Sequence, residues 1–218
     1  MWRQLTGCVA WAALSPALPG YSTLSRMLKS FRHTSPMRKS LKNRWLGGLL
    51  MLLSSYAWSA TATPEYQLKA VFLFNFTQFV EWPSQAFTDA NAPLVMGVLG
   101  TDPFGSYLDD TVRGETINGR PLTVQRYNSA DEIKNCNILF ISRSEAARLP
   151  QIFASLKGRN ILTVGDTDNF NREGGIIRFA TVANKIRLRI GLEAAKAANL
   201  TISSKLLRPA DIVGPGEE

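Results

Sequence analysis

The chain has 218 residues, with 25 Lys and Arg, 17 Asp and Glu, one His, two Cys and a formal charge of +8. That charge is localised. Residues 1–62 carry eight of the basic residues, no acid, His33 and Cys8, so residues 63–218 are net neutral, lack His and keep Cys136 alone. The body of the chain therefore excludes every His-dependent triad, every His metal site and any intramolecular disulfide, and it loses the basic balance that would point to nucleic acid.

Within the basic segment, Arg38, Lys39, Lys42 and Arg44 precede an apolar run from Trp45 to Trp58, and Ala60-Thr61-Ala62 follows. This is the order of a cleaved secretory signal over residues 37–62. A spanning helix needs roughly 20 apolar residues, more than this run supplies. Residues 1–36 precede a complete signal, and initiation at Met37 would account for them. The expected organisation is an upstream leader (1–36), a signal (37–62), one domain (63–213) and a disordered tail (214–218).

The domain opens on a helix. Thr63 suits its cap, Pro64 its first position and Glu65 its positive end. Residues Tyr66–Val80 are apolar almost all round, which predicts a helix buried on most sides and ended by Pro83 near Trp82. Pro93–Leu99, Asn137–Ser142 and Asn160–Val164 are short apolar runs bounded by turn residues, and they read as buried strands. Asp102 is placed to cap a helix over Phe104–Val112. Asn118-Gly119 between β-formers predicts a hairpin. Glu145–Leu156 reads as one helix stopped at Gly158. Ile176–Thr181, a turn at Ala183-Asn184 and Lys185–Ile190 form a second hairpin, whose Lys185, Arg187 and Arg189 alternate outward. Leu192–Asn199 is an Ala-rich helix, and Pro209 begins a frayed end. Buried strands separated by helices predict a single-domain three-layer α/β/α sandwich, with a mixed, mainly parallel sheet and a C-terminal antiparallel hairpin at its edge.

The motifs exclude more chemistry than they suggest. Gly97, Gly100 and Gly105 match neither the dinucleotide fingerprint nor the P-loop and read as turn glycines. Asp166, Asp168 and Asn169 resemble a calcium loop, but Phe170 and Asn171 occupy places that require a ligand and a glycine. No metal and no cofactor is expected. Asp109 and Asp110 diverge on a helix. A Ser–Lys dyad at Ser203-Ser204-Lys205 falls in a packing segment, and no G-x-S-x-G is present. Cys136 reads as a buried inert thiol. Ligands of open α/β sheets sit beyond the carboxyl ends of the strands, which makes Thr101, Asp102, Ser142, Arg143 and Asp166 the candidate ligand-pocket residues. There Arg143 would hold a carboxylate or phosphate, unless it and its neighbours simply cap a helix.

Two stretches resemble one family. The first is Tyr66–Pro83, closing on Phe79-Val80-Glu81-Trp82-Pro83. The second contains Gly165-Asp166, Phe170, Gly174-Gly175-Ile176, Phe179, Lys185-Ile186-Arg187 and Leu192–Leu207. In order and over about residues 65–213, they are similar to the YfiR family of bacterial periplasmic regulators. The resemblance implies a non-enzymatic periplasmic binding protein that dimerises and restrains an inner-membrane diguanylate cyclase, or a sensor kinase with a periplasmic domain. It also implies control of cyclic-di-GMP and biofilm formation, with an outer-membrane lipoprotein as a second partner. On this reading Phe79, Glu81, Trp82, Phe87, Arg187 and Arg189 are candidate partner contacts, since aromatics and Arg anchor interfaces. Core packing for Trp82 and a plain solvated face for the arginines are the alternatives. A periplasmic small-ligand sensor acting at the strand ends is the competing function. The chain departs from the family in keeping only Cys136, which removes an intrachain redox switch, and in having Gly191 where the family often shows Asn.

Overall fold

The structure, a computed structural model, describes residues 62–214 and 216. The expected leader and almost all of the signal, with residues 215, 217 and 218 of the tail, lie outside the described residues. In chain order the elements are α1 (Pro64–Phe79), β1 (Val80–Glu81), β2 (Leu94–Leu99), α2 (Ser106–Val112), β3 (Thr116–Ile117), β4 (Arg120–Tyr127), β5 (Ile138–Ile141), α3 (Leu149–Leu156), β6 (Leu162–Gly165), β7 (Ile177–Val182), β8 (Lys185–Gly191), α4 (Leu192–Ala197), β9 (Thr201–Ile202), α5 (Ser204–Leu207) and β10 (Asp211–Val213). The main sheet has eight strands in the order β10-β8-β7-β6-β5-β2-β4-β3. Pairing is parallel except at β3–β4 and β7–β8. This is the mixed, mainly parallel α/β sandwich expected from the sequence.

The continuous apolar runs follow from burial on both faces. Every residue of β2, β5 and β6 is buried. Met96, Val98, Ile138, Phe140, Leu162 and Val164 face one core, shared with Leu73 and Phe76 of α1 and Leu108 of α2. Leu99, Leu139 and Ile141 face the other, shared with Leu149, Ile152 and Leu156 of α3. Alternation along each strand divides its side chains between these layers. Two hairpins use the turn conformation expected of them. Asn118 and Gly119 have φ of 53° and 79°, and Ala183 and Asn184 have 48° and 59°, both in the doubly left-handed form that matches strand twist.

Several expectations require correction. α1 ends at Phe79 rather than at Trp82, because Val80–Glu81 is captured as β1 against β9, with Val80 opposite Ile202. Thr63 stands at the N-cap without a side-chain bond. α1 is not buried on most sides: it lies on the sheet by one face, leaving Leu68 48% and Val71 37% exposed. α2 begins after Gly105, and Asp102 instead accepts the Phe104 N–H at 2.7 Å in a preceding turn. Glu145–Leu156 is a 3₁₀ segment (Arg143–Arg148) followed by α3. Pro150 lacks an N–H and obstructs the preceding turn, so it can begin a helix but not continue one. The C-terminal hairpin is not the sheet edge, since β10 adds in parallel outside β8, with Ile212 opposite Ile190. The segment after Pro209 is therefore an ordered strand, hidden from pattern reading by its three-residue length.

Between β6 and β7 the chain folds back over the sheet, and glycines make room for one ring. A Cβ at Gly165 would stand 2.3 Å from the Phe170 ring, and one at Gly175 2.2 Å from it. Phe170 is fully buried in this slot, edge-on to Phe153 with centroids 5.4 Å apart. Gly175 N–H donates to Phe170 O at 2.8 Å.

Candidate functional site

The chain leaves β2 toward β4 on one side and then passes from β4 to β5 on the other side of β2, which makes a switch point at the carboxyl end of β2. The five candidate ligand-pocket residues gather there, because β2, β5 and β6 are adjacent. Thr101 and Asp102 follow β2, Ser142 and Arg143 follow β5, and Asp166 follows β6.

The chain's own side chains fill this edge. Thr101 N–H donates to Ser144 Oγ at 2.9 Å, and Ser142 N–H to Leu99 O at 3.0 Å. Gly100, at φ 87°, admits the contact, since a Cβ there would stand 2.4 Å from Ser144 Oγ. Ser142 caps the following 3₁₀ segment by accepting from Ser144 N–H. Glu145 accepts from Arg148 in an ion pair. Asp102 is engaged by Arg126 Nε at 2.9 Å, and the same guanidinium makes two bonds to Asp109 at 2.9 and 2.5 Å. The hydrogen bond from Arg126 holds the Asp109 carboxyl below its ordinary range. Asp110 turns away to Arg113.

Asp166 organises the deeper part. Lys69 Nζ reaches its Oδ2 at 2.6 Å, Tyr66 Oη donates to the same oxygen at 2.9 Å, and Arg143 Nε lies 3.2 Å from Oδ1. Lys69 also meets Glu65 at 2.7 Å and sits 4.4 Å from the centroid of the Tyr66 ring. The bond from Lys69 lowers the Glu65 carboxyl. Burial first, then the Asp166 charge, pushes the Tyr66 phenol up to about 12. Burial opposes the Arg143 charge, but Asp166 outweighs it and the pKa rises. The Asp166 carboxylate thus pairs with the Lys69 and Arg143 cations and accepts from the Tyr66 hydroxyl, a charge clamp. It ties α1 to β6 and to the segment after β5.

The sequence reading missed Lys69, Tyr66 and Arg126. Lys69 left a signal: it is a cation inside a helix otherwise apolar all round, at a place where a buried charge requires a partner. Asp168 pairs with Arg178 at 2.5 Å, so both acids of the calcium-like run are committed to cations of the chain. Among the described residues no group of three or more His, Cys, Asp or Glu is arranged to hold a metal ion. Ser203 caps α5, accepting from Lys205 N–H at 3.3 Å. Cys136 is a free, buried thiol pushed up to about 12 by burial.

The candidate partner contacts fall in two places. Phe79 closes α1 and Glu81 is exposed on β1. Trp82 Nε1 donates to Asn137 O at 3.2 Å, just before β5, and Phe87 lies under the Arg120 guanidinium at 3.9 Å. Arg187 and Arg189 stand on β8, three strands from β5 in the sheet order. They point to the face opposite Leu188 and Ile190, with Arg187 opposite Ala180 and Arg189 opposite Arg178.

An apolar, lysine-clamped first helix laid on a parallel sheet, with an antiparallel hairpin after the glycine slot, agrees with a family comparison. The family described as YfiR/HmsC-like matches residues 66–211. The chain belongs to the YfiR/HmsC-like family. No curated protein matches the chain. Among solved structures it is similar to a conserved domain protein from Vibrio cholerae O1 biovar El Tor, at 11% identity and a TM-score of 0.47, covering 70% of this chain and 60% of that one. It is also similar to an ABC domain in complex with L-Trp from Streptococcus pneumoniae, at 12% identity and a TM-score of 0.40, covering 55% of each. The chain thus spans about three fifths of the Vibrio protein. No helix among the described residues is long and apolar enough to cross a membrane.

Proposed function

We propose that this YfiR/HmsC-like protein is exported to the periplasm, loses residues 37–62 as its signal, and works through residues 63–213 as a homodimeric regulator. It restrains an inner-membrane diguanylate cyclase, or a sensor kinase with a periplasmic domain, by direct contact, and an outer-membrane lipoprotein competes for it. The match over residues 66–211 carries this reading. The surface supports contact as its means. Leu68 and Val71 on α1 and Val182 at the β7–β8 turn are large apolar side chains left exposed, and on the sheet face away from α1 β8 presents Arg187 and Arg189. Exposed apolar side chains and arginines are both used as interface anchors, so the two faces are two candidate contacts. Phe79, Glu81, Trp82 and Phe87 form a third.

The test is co-purification from membranes with a diguanylate cyclase, together with cyclic-di-GMP measurement in a deletion strain. Deletion raises cyclic-di-GMP on this reading. Complementation with Leu68→Asp or with Arg187→Glu/Arg189→Glu fails to lower it again, although the variant proteins remain folded. Unchanged cyclic-di-GMP on deletion refutes the reading. The intact mass of the protein from cells tests the processing, and sedimentation tests the dimer.

A further inference from the structure

The outer end of the β7–β8 hairpin and the start of α1 stand together at one end of the domain. Thr181 Oγ1 donates to Glu65 Oε1 at 3.4 Å, and Pro64, Leu68, Asn184 and Lys185 line one hollow between the two elements. Val182, the last residue of β7, is 53% exposed at this end.

A row of cations leads away from Val182. Lys185 lies opposite Val182 and Arg187 opposite Ala180, and cross-strand partners point to the same face. Both cations are exposed. Their cross-strand partners are apolar, and neither forms an ion pair among the described residues. Arg189 continues the row, but Asp211 of β10 stands opposite it and offsets its charge. Glu65, the acid at this end of α1, is held by Lys69 at 2.7 Å.

The chain also enters the domain here. Ala62 O accepts from Gln67 Nε2 at 3.2 Å, so the connection from the leader arrives at the first turn of α1. The apolar run of the leader ends at Trp58, six residues before Pro64, and that stretch spans at most about 22 Å. On the export reading above, the run is held in the inner membrane while the domain emerges, which confines the hairpin end to the periplasmic surface of the bilayer. An exposed apolar side chain followed by cations is the chemistry that suits such a surface. The apolar group enters the headgroup boundary, and the cations meet the phosphates.

We infer that the outer end of the β7–β8 hairpin is a membrane-surface site, with Val182 and Leu68 entering the boundary and Lys185 and Arg187 on the headgroups of anionic phospholipid. The site, which rests on the export reading, holds the regulator at the membrane where its partner lies.

The protein is purified from cells expressing the full chain and sedimented with vesicles of phosphatidylcholine alone or with about a quarter phosphatidylglycerol. It binds the anionic vesicles and not the neutral ones, and binding is lost in about 1 M salt, where the screening length falls to roughly 3 Å. Lys185→Gln/Arg187→Gln weakens binding about 30-fold, from two cations at roughly fivefold each. Val182→Ser weakens it roughly fivefold, by removing part of the buried apolar area. Circular dichroism shows both variants folded, since all three residues are exposed. Soluble glycerophosphate at equal ionic strength does not displace the protein from vesicles. No binding to anionic vesicles, equal binding to neutral ones, displacement by glycerophosphate or indifference to the double variant overturns the inference. Loss of cyclic-di-GMP control in the double variant with vesicle binding intact also overturns it, and assigns the row to an acidic protein surface. The vesicles contain no protein, so failure to bind them leaves the cyclase contact standing, whereas unchanged cyclic-di-GMP on deletion refutes that contact and leaves lipid binding standing.

Discussion

Replacing Lys69 by Met isolates the energetics of the clamp. Met conserves most of the side chain's length and volume, so the packing loss is small. What disappears is an ammonium that is 1% exposed and 2.6 Å from a carboxylate that is also 1% exposed. Removing one partner of a buried pair costs about 3–5 kcal/mol, because the other charge remains buried. Asp166 keeps Tyr66 and Arg143, and the Arg143 side chain is 64% exposed, so compensation is partial and the lower end, about 3 kcal/mol, applies. For a domain of this size each kcal/mol lowers the melting temperature by roughly 2–4 °C, giving a fall of about 6–12 °C. Urea unfolding with an unchanged m-value measures the same loss. Adding Asp166→Asn to Lys69→Met removes the stranded charge while leaving Tyr66 an acceptor, and at least about half of the lost stability returns. The reasoning fails if Lys69→Met unfolds within about 1 kcal/mol of the parent, or if the two substitutions are additive.

The clamp also sets an alkaline limit. Tyr66 has its pKa raised to about 12, so between pH 10 and 12 the folded state retains a proton that the unfolded chain has released. Its contribution is complete below pH 10 and declines as pH rises through that window; Tyr66→Phe flattens this part of the stability–pH curve, and an unchanged slope would argue against the assignment. Cys136, buried and raised to about 12, resists an aromatic disulfide reagent in the native protein at neutral pH and reacts on unfolding. Rapid native modification would show the thiol to be accessible. Gly165→Ala places a methyl 2.3 Å from the Phe170 ring and costs about 1–3 kcal/mol by overpacking; a calorimetric melting temperature equal to the parent's would mean the loop gives way without strain.

The sheet was legible because its central strands are buried on both faces, and runs such as Asn-Ile-Leu-Phe-Ile-Ser leave little else to propose. Hairpin turns were legible because Asn118-Gly119 and Ala183-Asn184 are local codes. Less was legible where the decisive partner is remote in sequence. Nothing near Val80–Glu81 announces Thr201–Ile202, so the end of α1 was placed by Pro83 instead. Nothing near Asp211–Val213 announces that β8 has a free edge to receive it. The candidate ligand residues do gather at one edge, since strand order alone puts them there. What that edge does chemically depends on Lys69, which comes from a helix 97 residues before Asp166, and no local pattern ties the two.

The ring of Phe170 works as a peg in a socket. The loop it fastens also carries Asp166 and Asp168, each holding a cation from a different element. Its seating therefore governs the footing of α1 and, through Arg178 opposite Arg189, the face on which the basic strand carries its arginines. Drawing the peg would unsettle both surfaces at once, so a lesion far from either contact would look in cells like the loss of two.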